Sequence, residues 1–476
     1  MDEVLGGGLI RSGIYLFMGR PGAGKTICGN QLCYAHVERG GKAAYITLLA
    51  ETHGRMTSNI ERLRFFSPRA IGKALLYLGG YGPLREKGLP GLLDMVRRVL
   101  ASEKPTLLVL DGLMTSRAHA SSDIELKEFI TELQVLCTMH ACTTVLLSNM
   151  TSAELNGPEH TMVDGLIELA MLPMRERTLR ELEVIKMRGS HHFLGKQEMS
   201  ISDDGVVVYP NTEERLNRRA RPAPAGSERM STGLANLDAM LGGGLLGGSV
   251  TMLLGFSGAG KTLLGQHFLA AGREPSLYFG FYEAPARFLD GAEGVGLTLR
   301  QQVQEGKLEV LWQTPRRHGL DSLSQRLLDN VERRGVKRLV IDGVDGLRQA
   351  AVSYPERVTG YLGALFNELR GQGVTVLFTE ETTKALGPEI EIRVEGASAL
   401  VDNILLLDYI DVGTQLKRML TVIKQRGSGY EDAIRELTIG KAGMELAATS
   451  ESAERILAAA SGRSRSRRGS QRGGDL

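Results

Sequence analysis

A chain of 476 residues is long enough for two or more folded domains. Its 42% apolar and 24% charged residues are typical of a globular protein, and its 5% aromatic residues disfavour a fold that relies on aromatic stacking platforms. The net charge of +2 disfavours a nucleic-acid coat protein, and without a signal peptide or a run of about 18 apolar residues we expect a cytoplasmic protein with no membrane span.

The chain contains an internal repeat. The segment DEVLGGGLIRSGIYLFMGRPGAGKT from Asp2 aligns without a gap with DAMLGGGLLGGSVTMLLGFSGAGKT from Asp238. A repeat of this length indicates a duplicated domain. Composition places domain 1 at residues 1–212, a linker at 213–229, domain 2 at 230–447 and a tail at 448–476. The tail begins as a short helical run, SAERILAAA, and its Arg-rich end is expected to be disordered.

Short apolar runs alternate with amphipathic stretches in each copy. The runs are IYLFMG, AAYITLL, TLLVLDG and TTVLLSN in domain 1, and VTMLLG, SLYFGFY, RLVIDG and VTVLFTE in domain 2. Apolar strands separated by helices form a mostly parallel sheet with helices on both faces. The predicted fold class is therefore α/β, with one such sheet in each domain.

A phosphate-binding loop follows the first predicted strand of each domain. GRPGAGKT (19–26) and GFSGAGKT (255–262) both fit the pattern G-x4-G-K-[ST]. The glycines let backbone amides point at the phosphates of ATP, the lysine reaches the β- and γ-oxygens, and the threonine hydroxyl binds Mg²⁺. The residues assigned to this site are Gly19, Gly22, Gly24, Lys25 and Thr26 in domain 1, and Gly255, Gly258, Gly260, Lys261 and Thr262 in domain 2.

A later strand in each domain ends in an aspartate, in LLVLDG at Asp111 and in LVIDG at Asp342. The carboxyl ends of parallel strands form the edge at which ligands bind in open α/β sheets. Taken alone, such an aspartate is better read as a turn residue. Behind a phosphate-binding loop, we expect it to hold the water shell of Mg²⁺ together with Thr26 or Thr262.

The sequence resembles the KaiC branch of the RecA superfamily over nearly its whole folded length. The resemblance rests on the D-x-x-LGGG opening, the phosphate-binding loop, the Asp-ending strand and the K-x-R-G-[ST] strand near the end of each domain. It implies two tandem RecA-like P-loop domains and a regulatory, ATP-hydrolysing protein that acts in signalling.

The resemblance also implies a catalytic carboxylate just after the second strand, where the family usually has adjacent acids. Here domain 1 reads TLLAET with Glu51, and domain 2 reads GFYEAP with Glu283, so one acid stands in each. Glu51 and Glu283 would orient or deprotonate the attacking water. The alternative is that both are exposed loop residues.

Family members form hexameric rings with ATP between subunits, and a K-x-R pair reaches the neighbour's γ-phosphate. The matching residues are Lys186 and Arg188 in domain 1 and Lys424 and Arg426 in domain 2. An arginine supplied across an interface raises phosphoryl-transfer rates by about 10³–10⁵. The resemblance therefore implies a homo-oligomer with unidentified protein partners, although these residues could also be solvated charges on an edge strand.

Three other functions remain open at this stage. A Ser/Thr autokinase is disfavoured because the family's adjacent Ser-Thr acceptors correspond to Ser398 and Ala399. A recombinase-like, DNA-dependent ATPase is disfavoured because the presumed DNA loops are acidic: residues 380–396 hold five Glu against one Lys and one Arg, and residues 150–163 hold two Glu and neither cation. A nucleotide-binding scaffold with little hydrolysis is the third.

Overall fold

The computed structural model describes residues 1–48, 53–151, 161–174, 177–218, 228–314, 318–382, 396–412 and 414–459. The chain forms two compact units, Met1–Asn211 and Thr212–Leu476. The first unit corresponds to domain 1 without its last residue, Thr212, and the second contains domain 2 together with the residues that precede it from Thr212. Within the described stretches, no helix has both the length and the apolar composition needed to cross a bilayer.

The described residues of domain 1 form a nine-stranded sheet. In spatial order its strands are β3 (Leu75–Gly79), β2 (Ala43–Thr47), β4 (Leu107–Asp111), β5 (Thr143–Ser148), β1 (Ile14–Met18), β6 (Gly165–Met174), β7 (Arg177–Met187), β8 (Lys196–Ser202) and β9 (Gly205–Tyr209). The first six strands of this order are parallel, and the last three continue the sheet in antiparallel fashion. The helices are α1 (Lys25–Glu38), α2 (His53–Ile60), α3 (Tyr81–Glu103), α4 (Leu113–His119) and α5 (Asp123–Met139).

The described residues of the second unit repeat this plan. The spatial order of its large sheet is β14 (Leu308–Trp312), β13 (Ser276–Gly280), β15 (Arg338–Asp342), β16 (Thr375–Glu381), β12 (Val250–Gly255), β17 (Asn403–Asp411), β18 (Leu416–Gln425), β19 (Arg435–Gly440) and β20 (Gly443–Leu446). A small antiparallel pair joins β10 (Arg229–Met230) to β11 (Leu245–Leu246). The helices are α6 (Thr212–Arg218), α7 (Ala235–Met240), α8 (Lys261–Ala270), α9 (Pro285–Glu293), α10 (Leu299–Gln304), α11 (Leu320–Arg334), α12 (Asp345–Ala350), α13 (Arg357–Gly371) and α14 (Ala397–Leu400). Residues 451–459, at the start of the predicted tail, are also helical.

The central strands are continuous apolar runs because both faces of each sheet are covered. In β1, Tyr15 and Phe17 join a core with residues of α1, whereas Ile14 and Leu16 join a second core with residues of α3 and α5. Successive strand residues point to opposite faces, so a strand covered on both sides must be apolar at every position. The predicted α/β fold with two mostly parallel sheets is confirmed.

The strand order brings the predicted ligand-binding segments of each domain to one edge. In domain 1, β5 alone separates β1 from β4, and all three strands run parallel. The phosphate-binding loop after β1 and Asp111 at the end of β4 therefore emerge together. In domain 2 the same relation holds for β12, β16 and β15, which ends at Asp342.

Helix α6 lies within the segment that composition assigns to a linker. Thr212, at its start, donates its backbone N–H and its hydroxyl to Asp321 Oδ1 at 2.9 Å. Glu213 accepts hydrogen bonds from Arg357, which also binds Asp321. A seven-residue helix is not stable alone, so its contacts with α11 and α13 stabilise it. Of the rest of the predicted linker, residues 219–227 lie outside the described stretches, and Arg229 begins strand β10.

Candidate nucleotide-binding and catalytic site

The phosphate-binding loops adopt a conformation that requires glycine at defined positions. Gly24 and Gly260 precede α1 and α8 with φ of 105° and 109°, values that favour glycine. A Cβ at Gly19 would lie 2.0 Å from the carbonyl oxygen of Leu169, and one at Gly255 would lie 2.2 Å from that of Leu407. Each loop therefore packs against the backbone of the neighbouring strand, β6 or β17, at the point where it leaves the sheet.

The loop lysines are buried beneath their own loops. Lys25 and Lys261 are 6% and 8% exposed, and each ammonium donates to two backbone carbonyls of its loop. Burial lowers the pKa of both lysines, and the nearby carboxylates Asp111, in domain 1, and Glu381 with Asp342, in domain 2, oppose that shift. The carbonyl acceptors are those of Gly19 (2.6 Å) and Arg20 (3.0 Å) in domain 1 and of Gly255 and Phe256 (both 2.9 Å) in domain 2.

The loop threonine and the strand-ending aspartate are in contact in both domains. Thr26 Oγ1 donates to Asp111 Oδ2 at 3.1 Å, and Thr262 Oγ1 donates to Asp342 Oδ2 at 2.9 Å. A hydroxyl and a carboxylate are the hard oxygen ligands that Mg²⁺ prefers. Among the described residues no cluster of three or more acidic, His or Cys side chains could form a complete cage for a metal. The contact between a threonine hydroxyl and an aspartate fits Mg²⁺, which is usually held by one or two protein oxygens together with water and phosphate.

Each of these aspartates also contacts a tyrosine that was not predicted from the sequence. Tyr45 donates to Asp111 Oδ2 at 2.7 Å, and Tyr278 donates to Asp342 Oδ2 at 2.9 Å. Both rings are buried in the core beside the sheet. A tyrosine in an apolar strand is therefore predicted to be a packing residue and not part of a binding site. The available signal was the repeat, because both tyrosines are the third residue of their strands, β2 and β13.

A cleft of about 630 Å³ opens at the phosphate-binding loop of domain 2. It brings Glu283, which is half-buried, together with Lys261, Thr262 and Asp342. The predicted catalytic carboxylate and the predicted ligands of phosphate and metal thus share one cavity. Glu51, the equivalent residue in domain 1, lies outside the described residues. The other residues that line the cleft are Ser257, Gly258, Gly260, Leu263, Tyr282, Gly343, Val344, Asp345, Gln349, Thr379 and Glu381.

Asp345 is a further acid in this cleft that sequence reasoning did not select. Its Oδ2 accepts hydrogen bonds from Tyr282 and Gln349, both at 3.0 Å, and its Oδ1 accepts one from Arg348 at 3.2 Å. Burial tends to raise the pKa of Asp345, but the three donors together outweigh it and lower the pKa. Asp345 is therefore a firmly held anion and a weak base, and Glu283 remains the candidate for water activation.

Comparison with known proteins assigns the family. A family model described as "ATPase: KaiC" matches residues 1–213 and 230–451. The chain belongs to the KaiC family of ATPases. Relatives include the circadian clock oscillator protein KaiC 1 of Synechocystis, 26% identical over 475 residues, and KaiC of Synechococcus elongatus, 25% identical over 475 residues. Each alignment covers 96% of this chain and 89% of the relative.

Membership of the KaiC family confirms the predicted tandem P-loop ATPase. A circadian clock oscillator protein KaiC of Picosynechococcus is also 25% identical over 476 residues, covering 96% of this chain and 90% of that protein. The matches run through both domains, as the internal repeat requires. The chain is therefore a nucleotide-binding ATPase.

Neither residue of the K-x-R pair of domain 2, Lys424 and Arg426, lines the cleft of that domain. Lys424 donates to the carbonyls of Ser398 and Val401 at the end of α14, and Lys186 donates to those of Thr161 (3.1 Å) and Val163 (2.8 Å). Each lysine thus stabilises the turn before strand β6 or β17 in its own domain. The arginines that follow two residues later, Arg188 and Arg426, are both exposed.

The acidic stretch 380–396 is not a single loop. Glu380 and Glu381 belong to β16, because the strand continues beside β12 as far as the pair Gly255–Glu381. These two of the five glutamates therefore have fixed positions in the sheet. Their assignment to a DNA-facing loop was wrong. Residues 383–395 of this stretch and residues 152–160 of its domain 1 counterpart lie outside the described residues.

Proposed function

We propose that this KaiC-family ATPase binds ATP with Mg²⁺ in both domains and that its nucleotide state controls protein partners from a homo-oligomeric, hexameric ring. The main support is that one arrangement occurs twice. In each domain a buried loop lysine lies beside a threonine that is bonded to a strand-ending aspartate. One such arrangement could be a structural turn, but two at the same place in two sheets favour a common ligand.

The described residues suggest a role for each group. Backbone amides of the loops and the ammonium groups of Lys25 and Lys261 would bind the triphosphate. Thr26 and Thr262 would ligate Mg²⁺ directly, and Asp111 and Asp342 would hold its water shell. When bound, Mg²⁺ supplies positive charge to the β- and γ-phosphate oxygens.

We assign water activation to Glu283 in domain 2 and to Glu51 in domain 1. Glu283 lines the cleft that also contains Lys261 and Asp342, so it can accept a proton from a water placed beside the γ-phosphate. A single glutamate in each domain, where the family usually has adjacent acids, is consistent with slow hydrolysis.

The exposed arginines support a site shared between subunits. Arg188 and Arg426 are exposed, and neither lines the described cleft of domain 2. With Lys186 and Lys424 holding the adjacent turns, the arginines can reach the γ-phosphate held by a neighbouring subunit. We place the protein in the cytoplasm. We expect protein partners and not nucleic acid, because the net charge of the chain is only +2.

Two measurements on the native protein and one double variant test catalysis and assembly. In the Glu51→Gln, Glu283→Gln double variant, we expect Mg²⁺-dependent phosphate release to fall by about 10²–10⁴ while nucleotide binding persists. Light scattering of either protein with ATP should give a particle of about six times 51.7 kDa. Unchanged phosphate release would show that the assigned carboxylates are not catalytic, and a monomer with bound ATP would remove the roles of Arg188 and Arg426.

A further inference from the structure

Strand β16 ends in two glutamates with opposite environments. Glu380 is 1% exposed and accepts two hydrogen bonds from Nη1 of Arg348, at 3.0 and 3.2 Å. Glu381 has a side chain that is 49% exposed, and it lines the domain 2 cleft. Its Oε1 lies 3.9 Å from Nζ of Lys261. Glu380 is thus fully used by the fold, whereas Glu381 faces the cation that the phosphates of ATP would need.

The sheet register fixes Glu381 at this point. Glu381 pairs with Gly255, the first glycine of the phosphate-binding loop, so its backbone lies beside the start of the loop. In domain 1 the equivalent pairing of β1 with β5 ends at Met18 and Ser148, which places Asn149 at the corresponding position. Asn149 is exposed and uncharged. The two domains therefore offer the same cation to phosphate, but only domain 2 has a carboxylate at this register position.

We infer that Glu381 is an internal counter-ion of Lys261 that competes with the phosphates of the nucleotide in domain 2. This inference rests on the proposed binding of ATP by that domain. A carboxylate beside the lysine favours the empty site, since it neutralises part of the ammonium charge before ligand arrives. After binding, the same carboxylate repels the phosphate oxygens. Both effects weaken nucleotide binding and shorten the time for which domain 2 holds its nucleotide.

The electrostatics of Lys261 agree with this arrangement. Burial is the largest influence and lowers the pKa of the lysine; among the carboxylates that oppose it, Glu381 acts more strongly than Asp342 or Glu380. Because Glu381 is half-exposed, solvent and salt screen its charge. We therefore expect an effect of about three- to tenfold on affinity, not a block of the site.

The test uses the full-length chain with domain 1 disabled by Lys25→Ala, so that binding reports on domain 2. Equilibrium titration with a fluorescent, non-hydrolysable ATP analogue and Mg²⁺ should give a Kd that is about three- to tenfold lower for Glu381→Gln than for the parent. Glu381→Asp, which keeps the charge, should remain close to the parent. The gain should shrink as salt is raised from about 0.05 to 0.5 M, because the charges are screened.

The reciprocal change is the matched control. With domain 2 disabled by Lys261→Ala, Asn149→Glu should raise the Kd of domain 1 by a similar factor. An unchanged or higher Kd for Glu381→Gln would overturn the inference, as would a gain that is equal at low and high salt. If Glu381→Gln fails to fold, an unaltered Kd for Asn149→Glu overturns it instead. Failure of the Lys25→Ala parent to bind any nucleotide would contradict the proposed function of domain 2, which is a separate result.

Discussion

Asp111 and Asp342 each accept two hydrogen bonds on the same carboxylate oxygen, one from the loop threonine and one from a buried tyrosine. In domain 2 the other oxygen of Asp342 also accepts one from Thr379 at 2.7 Å. If Mg²⁺ binds as proposed, the threonine hydroxyl would turn towards it, whereas the tyrosine could keep its contact with the aspartate. The tyrosine would therefore hold the carboxylate in place both with and without the proposed Mg²⁺.

Tyr278→Phe tests this support at the level of one atom. Burial and the charge of Asp342 raise the pKa of Tyr278, so the phenol stays protonated and remains a donor. Its removal leaves a partly buried carboxylate with one donor fewer, and the free energy of unfolding should fall by about 1–2 kcal/mol. Urea unfolding followed by fluorescence of Trp312, the only tryptophan of the chain, reports on the second unit.

Tyr282→Phe is the control for this prediction. Its phenol is exposed and also contacts a carboxylate, Asp345, so its loss should change the free energy of unfolding by less than about 0.5 kcal/mol. If the free energy of unfolding fell equally in the two variants, the buried contact of Tyr278 with Asp342 would stabilise the protein no more than the exposed contact of Tyr282.

At the scale of elements, helix α6 shows how a short segment is fixed by distant residues. Arg357, the first residue of α13, donates to both carboxylate oxygens of Glu213 on α6 and to both of Asp321 on α11. Asp321 has a side chain that is 2% exposed, and the two acids together raise the pKa of Arg357 against the opposing effect of burial. One guanidinium thus joins three helices.

Arg357→Met should destabilise the second unit strongly. The substitution keeps much of the side-chain volume but leaves the buried carboxylate of Asp321 without its cation, which costs about 3–5 kcal/mol in comparable buried pairs. Urea unfolding monitored at Trp312 measures this loss. Arg218→Ala, which removes a more exposed ion pair with Glu214 on the same helix, should cost less than about 1 kcal/mol. A loss of similar size in both variants would contradict the linking role of Arg357.

The sequence predicted the elements that depend on local pattern and missed those that depend on long-range contacts. The sheets and phosphate-binding loops follow from apolar runs and glycine spacing, which are properties of neighbouring residues. Helix α6 was read as linker because the partners of Glu213 lie more than a hundred residues away. Glu380 ends the apolar run VTVLFTE, and its buried carboxylate is stabilised by an ion pair with Arg348, a contact that no local sequence pattern shows.

On the scale of the whole molecule, the two domains share their phosphate-binding framework but differ around it. Where domain 2 has Asp345, Thr379 and Glu381, the corresponding positions of domain 1 have Met114, Leu147 and Asn149. The loops, lysines, threonines, aspartates and tyrosines are retained in both. Duplication thus kept the groups that would bind ATP and Mg²⁺, and the surrounding charges diverged.

The number of nucleotides bound per chain tests the central claim most directly. Equilibrium dialysis of the purified protein against labelled ATP analogue and Mg²⁺ should approach two nucleotides per chain for the native sequence, one for either Lys25→Ala or Lys261→Ala, and none for the double variant. Retention of no nucleotide by the native protein would contradict the account, as would a stoichiometry unaffected by both lysine substitutions.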